Sequence, residues 1–335
     1  MTRLTAILFG LAALVAAGHA TAQQPVIIKF SHVVAEDTPK GRAAMYFKRL
    51  VEQRTRGKVK VEVYPDSSLY KDSDELAALQ RGQVQMLAPS LAKFGALGLR
   101  EFGLFDLPYV FDNYAEVHRV VLGPIGRDLL KTLEPKGILG LTYWDNGFKQ
   151  MSANKPLRKP DDLKGLKMRI QDSAVLQAQM QALGASPKAM NFSEVAAALK
   201  AGTVDGTENP VSNFDSQHLQ DMQKYLTLTN HGYLGYAVIV NKKFWEGLPA
   251  DLRASLGVAL RDATTFANDI ASESNNDALE ALRASGKTEV IRLTPQEKAE
   301  WKKALVKVHR EMEGQIGKDL LRSVYKETNF DPDKL

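Results

Sequence analysis

The chain has 335 residues, a length that suits two domains better than one. Its hydrophobic fraction of 44% and charged fraction of 25% exclude an intrinsically disordered or collagen-like chain. Lys and Arg number 44 against 39 Asp and Glu, a net charge of +5 without a basic block, so no nucleic-acid partner is expected, whereas anionic small molecules are compatible.

Residues 1–22 have the pattern of a secretory signal peptide. Arg3 supplies the positive start, residues 7–17 form a short apolar run, and Ala20-Thr21-Ala22 fits a cleavage site. The run is shorter than the roughly 20 apolar residues that a transmembrane helix needs. We therefore expect a cleaved leader rather than an uncleaved anchor, and a mature protein outside the cytoplasm.

Strands and helices alternate from residue 26 onward. Strands are predicted at 26–30, 59–65 and 84–88, where apolar residues are continuous or alternate with polar ones. Helices are predicted at 39–56 and 72–80, and the second begins with Asp72 and Glu75 spaced almost as in a capping box. This order predicts a mostly parallel sheet connected by right-handed crossovers.

The same alternation recurs later in the chain and predicts a second α/β lobe. Further strands are expected at 138–144, 166–170, 203–207, 226–230 and 236–241. Further helices are expected at 114–133, with an interruption at Gly123-Pro124, and at 173–183 and 193–201. The fold class is therefore α/β with two lobes.

The last third of the chain is predicted to be mainly helical. A periodic stretch from about 250 to 284 exceeds the usual helix length, so it either breaks near Asn275-Asn276 or crosses both lobes. The segment from Thr294 to Glu297 combines a capping box with proline at the first helical position, which predicts another helix start. Residues 331–335 are expected to fray.

The sequence lacks the motifs of the common catalytic, nucleotide-binding and metal sites. The absence of cysteine excludes thiolate metal sites, disulfides and a cysteine nucleophile. There is no G-x-S-x-G, no G-x-G-x-x-G after the first strand and no H-x-x-x-H, and a P-loop ending at Gly286-Lys287-Thr288 has Ala281 in place of its first glycine. We expect no cofactor, no metal and no enzyme activity. An exported organic-acid enzyme using His32 with Glu208 remains the alternative.

An exported two-lobed chain without a catalytic constellation is most simply a solute-binding protein that closes around its ligand. Four segments stand out, namely FSHVVAEDTPKG (30–41), GLKMRI (165–170), NFSEV (191–195) and VDGTENP (204–210). Together they resemble the DctP-type solute-binding proteins of tripartite ATP-independent periplasmic (TRAP) transporters, and the resemblance covers essentially the whole mature chain. The part of the first segment from His32 to Gly41 resembles the C4-dicarboxylate branch of that family.

The resemblance implies a periplasmic-binding-protein-like fold with a hinge and a long helix spanning both lobes. Lobe I is expected at 26–146 plus about 235–274, and lobe II at 147–234 plus about 275–330. It implies a monomer in the periplasm that captures a small carboxylate, most simply succinate, malate or fumarate, and delivers it to the small and large membrane subunits of a TRAP transporter. An aromatic or sugar-acid ligand, or a sensory role with a membrane receptor, remains open.

The resemblance also implies the principal ligand contacts. Arg169, in the K-x-R motif, is expected to form a two-bonded salt bridge with the ligand carboxylate, which the rigid guanidinium fork suits. Asn209 is expected to donate a hydrogen bond to the same group. Without a ligand role, Arg169 would be a surface arginine at a strand end, and Asn209 would be a turn residue before Pro210.

A dicarboxylate carries two negative charges, so enclosing it calls for more than one cation. Lys149 stands where many members of the family have a second arginine, and Lys93 resembles another basic contact position. His32 is expected to face the cleft, although a structural histidine is an equal alternative. Further ligand contacts are predicted from Ser90, Phe192, Tyr233 and Tyr236, for which core packing is the alternative for the aromatic rings.

Overall fold

Over residues 24–335, which the computed structural model describes, the chain forms nine strands and twelve α-helices. The predicted signal peptide at 1–22 lies outside these residues. The strands are β1 (Val26–Ser31), β2 (Val59–Tyr64), β3 (Met86–Leu87), β4 (Ile138–Ala153), β5 (Lys167–Ile170), β6 (Ser186–Ala189), β7 (Gly206–Asn209), β8 (Tyr225–Asn241) and β9 (Glu289–Arg292). The helices are α1 (Pro39–Arg54), α2 (Glu75–Gln80), α3 (Tyr114–Leu122), α4 (Pro124–Lys131), α5 (Ala174–Ala182), α6 (Val195–Lys200), α7 (Val211–Ser216), α8 (Lys242–Gly247), α9 (Ala250–Ser285), α10 (Pro295–Leu305), α11 (Lys307–Ile316) and α12 (Lys318–Thr328).

The strands form one mixed sheet in the order β2-β1-β3-β8-β4-β7-β5-β6, with β9 paired to β8. Pairing is parallel among β1, β2 and β3 and among β5, β6 and β7. It is antiparallel between β3 and β8, between β4 and β7, and between the two long strands β4 and β8. The two lobes are therefore parallel units centred on β1–β3 and β5–β7, joined by two long antiparallel strands.

Strands β4 and β8 are much longer than the sequence predicts. Strand β4 has 16 residues rather than the expected 138–144, and β8 has 17 residues where two separate strands were expected. Their pairing runs from Ile138 opposite Asn241 to Ala153 opposite Tyr225. The polar and glycine-rich middles of both strands resemble turns in the sequence, but each strand satisfies the other's backbone groups, which allows pairing to continue.

Helix α9 is a single unbroken helix of 36 residues, so of the two sequence alternatives the one without a break is correct. Its first half packs in the hydrophobic core around β1 and α1, and its second half packs in the core around α6 and α7. Asn275 does not interrupt the helix, and its side chain bonds both to the preceding turn, at the Ala271 carbonyl, and to neighbouring elements. Its Nδ2 donates to the Asn146 carbonyl at 2.8 Å, and its Oδ1 accepts from the Ser212 amide at 3.1 Å.

Two local signals in the sequence are confirmed by the structure, whereas two short strands were not predicted. The break at Gly123-Pro124 is confirmed, because α3 ends at Leu122 and α4 begins at Pro124. The capping box at Thr294 is also confirmed. Strands β6 and β9 were missed, the first because its sequence SPKA has no run or alternation of large apolar residues, and residues 332–334 form a short 3-10 turn. No helix among residues 24–335 is long and apolar enough to cross a membrane.

Gly41 fixes how the chain leaves β1 and enters α1. A Cβ at this position would lie 2.4 Å from the Ala35 carbonyl oxygen and 2.5 Å from that of Glu36. The loop after β1 therefore packs directly on the first turn of the helix, where only a hydrogen atom fits.

We expect Gly41→Ala to lower the free energy of unfolding by about 1–3 kcal/mol, because the added methyl group meets backbone rather than a movable side chain. Guanidinium unfolding followed by circular dichroism measures the change. Gly95→Ala is the control, since no heavy atom lies within 4 Å of its added Cβ, and it should change stability by less than about 0.5 kcal/mol. Equal stability of both variants would contradict the close contact.

Candidate ligand-binding site

A small cavity lies between the two lobes. Three cationic side chains and one carboxylate are among its lining residues, together with amides, a hydroxyl and two aromatic rings. They are Val33, Val34, Lys40, Asp72, Ser90, Lys93, Arg169, Gln171, Phe192, Asn209, Asn213, Leu234 and Tyr236. Asp72, Lys93, Arg169 and Gln171 also line a wider cleft that opens beside it, which offers a route of entry.

Arg169 lies on β5 and is only 2% exposed. Its Nε and Nη2 donate to the Met190 carbonyl at 3.2 and 2.8 Å, and its guanidinium carbon lies 5.8 Å from the centre of the Phe192 ring. Burial lowers the pKa of Arg169, while Asp72 and Glu208 oppose that shift. The side chain is thus held in one orientation by a neutral acceptor and forms no salt bridge within the described part of the chain.

Asn209 ends strand β7, beside β5, rather than following the strand as the sequence suggested. Its side chain is 3% exposed and its Nδ2 donates to Thr207 Oγ1 at 3.3 Å. Because β5 and β7 are adjacent parallel strands, Asn209 and Arg169 reach the cavity from the same side. The predicted pair is therefore brought together at one wall.

Phe192 lines the cavity and connects the lobes through its backbone. Its amide donates to Asp72 Oδ2 at 2.8 Å. Asp72 was expected to cap α2, but that helix begins at Glu75 after Asp74, and Asp74 makes no capping bond. The carboxylate of Asp72 instead contacts the second lobe, so the capping-box interpretation was wrong.

Lys93 is 7% exposed, and its ammonium contacts both Asp72 and Glu75. Burial alone would lower its pKa, but Glu75 and Asp72 outweigh burial, so the pKa of Lys93 is raised. Burial opposes ionisation of Asp72 as well, yet Lys93, the Phe192 amide and Arg169 bring its pKa down to about 2. Lys93 therefore lines the cavity as a cation whose charge the protein itself compensates.

Polar side chains from both lobes complete the wall. Ser90 Oγ donates to Gln171 Oε1 at 3.3 Å, which joins β3's end to β5's end. The Tyr236 hydroxyl accepts from Asn146 Nδ2 at 2.6 Å. Tyr236 also lines the cavity, whereas the sequence left open whether Tyr233 and Tyr236 contact the ligand or pack in the core.

Three predicted residues lie off this cavity. Lys149 Nζ is 3.1 Å from Glu208 Oε1 and 3.7 Å from Asp106 Oδ1, in a buried ion cluster. Tyr233 donates its hydroxyl to Asp145 at the junction of the lobes. His32 is fully buried, and neither ring nitrogen has a partner among the described residues.

His32 and Glu208 do not form the acid–base pair that the enzyme alternative required. Burial, followed by the nearby charge of Lys40, lowers the pKa of His32 to about 3, so the ring is neutral. Glu208 instead accepts from His231 Nε2 at 3.2 Å and pairs with Lys149. Within residues 24–335, no three His, Asp or Glu side chains are grouped closely enough to hold a metal ion.

Lys40 is a cavity residue that the sequence analysis missed. It lies in the first turn of α1, after Thr38 at the cap and Pro39, and is 1% exposed. A cation in the first turn opposes the helix dipole, which favours acidic residues there. That mismatch was the available signal, whereas Gln171 and Asn213 carry no such signal in the sequence.

Comparison with known proteins agrees with this geometry. The model of the DctP family, described as bacterial extracellular solute-binding protein, family 7, matches residues 30–315. The chain belongs to this family. It is 58% identical to the C4-dicarboxylate-binding periplasmic protein DctP of Rhodobacter capsulatus, over 90% of each chain.

Solved structures of TRAP periplasmic solute-binding proteins share the fold. A Shewanella oneidensis protein with bound succinate has a TM-score of 0.89 at 43% identity, covering 91% of this chain and 99% of its own. A Pseudomonas aeruginosa protein with bound L-malate has a TM-score of 0.84 at 44% identity, covering 86% and 100%. The two-lobed α/β fold expected from the sequence is confirmed.

We expect Lys93→Met to lower the free energy of unfolding by about 3–5 kcal/mol, because it leaves the buried Asp72 and Glu75 without their shared cation. Denaturant unfolding at neutral pH measures this loss. Lys71→Met is a matched control, since the Lys71–Glu194 pair is 51% and 44% exposed and should contribute less than about 1 kcal/mol. Similar losses in both variants would contradict the compensation assigned to Lys93.

Proposed function

We propose that this protein binds a C4-dicarboxylate such as succinate, malate or fumarate and delivers it to a TRAP membrane transporter. The observation that carries the proposal is the guanidinium of Arg169, which is buried and lines the cavity between the lobes without an ionic partner among the described residues. A buried cation without a compensating anion is costly. A ligand carboxylate supplies that anion, and the planar fork of arginine matches its two oxygens.

The charges around the cavity favour an anionic ligand over a neutral one. Lys40, Lys93 and Arg169 line it, against the carboxylate of Asp72 and the neighbouring Glu75. Burial raises the pKa of Glu75, whereas its contact with Lys93 opposes that shift. Three cations against two carboxylates leave an excess of positive charge before any ligand enters, which favours an anionic ligand over a neutral one.

The cavity also favours a small ligand that holds the lobes together. Residues of both lobes line it, including Tyr236 from β8 and Phe192 from the second lobe. A ligand that touches both walls stabilises the closed form only through the contacts that it gains on closure. We infer that closure around the carboxylate is the step that prepares the protein for delivery.

We further propose lobe boundaries at 26–146 plus about 235–274, and at 147–234 plus about 275–330. Support comes from the pairing of β4 with β8, whose register shifts between Asp145, opposite Gly235, and Gly147, opposite Leu234. An irregularity at the same point in both connecting strands is a suitable place for a hinge.

The partners of the protein belong to the same proposal. We infer a periplasmic monomer that docks on the small and large subunits of the transporter and does not transform its ligand. Incubating the purified protein with L-malate and following the solution by NMR tests the last point. Malate should persist unchanged, and conversion that depends on the protein would contradict a binding role.

We expect Arg169→Ala to weaken succinate binding by about 2–5 kcal/mol, the range for losing one partner of a buried charged pair. Calorimetric titration measures the affinity. Arg169→Lys should also bind poorly, because lysine keeps the charge but loses the fork. Arg310→Ala, at a residue whose side chain is 75% exposed, is the control and should bind like the unaltered protein.

A thermal-shift screen of organic acids complements the titrations, because a ligand that binds only the native state raises its melting temperature. Dicarboxylates should give the largest shifts. A shift produced only by aromatic or sugar acids would contradict the proposed ligand class, and unchanged succinate affinity in Arg169→Ala would contradict the role of Arg169.

A further inference from the structure

We propose that Lys40 binds the second carboxylate of the ligand and that this lysine takes up a proton when the ligand binds. The inference rests on the proposed function, because it assumes a dicarboxylate held at one end by Arg169. It adds a second contact and a coupling between ligand and proton that the first contact does not require.

The surroundings of Lys40 leave its ammonium without a carboxylate partner, as expected for a cation that binds a ligand. Its Nζ donates to the Ala88 carbonyl at 3.0 Å and lies 3.9 Å from the centre of the Tyr236 ring. Among the described residues no carboxylate lies within 4 Å of it, in contrast to Lys93. An ammonium has three donors, so at least one of them stays available to a ligand in the cavity that Lys40 lines, besides those directed at the Ala88 carbonyl and the Tyr236 ring.

The two uncompensated cations reach the cavity from different lobes. Lys40 is on α1 in the first lobe, whereas Arg169 is on β5 in the second. Both are at most 2% exposed. A ligand with one carboxylate on each cation therefore connects the lobes, which a monocarboxylate held only by Arg169 does not do.

The groups around Lys40 decide its ionisation. Burial favours the neutral amine most strongly, Glu75 on α2 and Asp72 before it favour the ammonium, and Lys93 opposes it. The carboxylates are already in contact with Lys93, so the balance lowers the pKa of Lys40 to about 7. His32 at the end of β1 is neutral, and Tyr236 and Arg169 are the other titratable groups that line this cavity.

The direction of the coupling follows from this lowered pKa. Below about pH 7 the lysine is already charged in the free protein, so binding requires no proton. Above pH 7 the free lysine is mainly neutral, and a ligand carboxylate favours the ammonium and raises its pKa. Binding between these two pKa values therefore takes up a proton, and the affinity falls as the pH rises.

Calorimetric titration of the purified protein with succinate, in buffers of different ionisation enthalpy, measures this proton uptake. We expect uptake approaching one proton per ligand near pH 8 and little uptake near pH 6.5. Kd should rise between about pH 7 and pH 8.5, with a limiting slope of about tenfold per pH unit for one proton. Succinate binding with no proton uptake near pH 8 and a constant Kd would overturn the proposal.

Variants separate the role of Lys40 from a general effect of pH. Lys40→Arg keeps the charge at every pH used, so the affinity of this variant should lose its pH dependence. Lys40→Met should bind succinate at least tenfold more weakly at pH 7 and take up no proton at pH 8. Lys48→Met, on the same helix but bonded to Glu52 and the Val61 carbonyl, should behave like the unaltered protein.

Failure of the proposed function and failure of the role of Lys40 give different results. No succinate binding by the unaltered protein at any pH would contradict the proposed function itself. Succinate binding with a Lys40→Arg variant that keeps the full pH dependence would contradict only the role of Lys40. If a variant does not fold, the proton uptake of the unaltered protein still decides, because it needs no substitution.

Discussion

The central constraint on this structure is the burial of more positive charge than the protein neutralises by itself. Arg169 is held by a neutral carbonyl, and Lys40 by a carbonyl and an aromatic ring, so neither has an ionic partner in the described chain. Burying such cations costs stability that the hydrophobic cores must offset. Because residues of two lobes surround these cations, an anion that neutralises them also favours the closed arrangement of the lobes. The stability lost by burying the cations therefore contributes to ligand binding.

Lys93 shows the opposite solution in the same wall. Asp72 and Glu75 compensate its charge, and Asp72 also accepts a hydrogen bond from the Phe192 amide of the other lobe. This part of the wall is complete without a ligand and connects the lobes by itself. Lys93 and Lys40 carry the same formal charge, but carboxylates of the protein neutralise Lys93 and not Lys40. The two lysines therefore have different roles in the cavity.

The fold was largely predictable wherever local patterning decided it. Alternating strands and helices, the break at Gly123-Pro124 and the cap at Thr294 follow from short-range signals. The full lengths of β4 and β8 did not, because their polar middles resemble turns and only pairing between strands distant in sequence makes them continuous. Helix α9 is similar, since Asn275 binds β4 and α7 instead of ending the helix.

The sequence by itself determined the alternation of strands and helices and the family motifs that single out Arg169 and Asn209. The pairing of β5 with β7 then brings these two side chains to one edge of the sheet. Only the tertiary structure decided which lysines face the cavity. It placed Lys149 in an ion cluster with Glu208 and placed Lys40 beside the cavity without an ionic partner. Whether a charge is compensated depends on distances through space between residues far apart in the chain, and no local spacing records those distances.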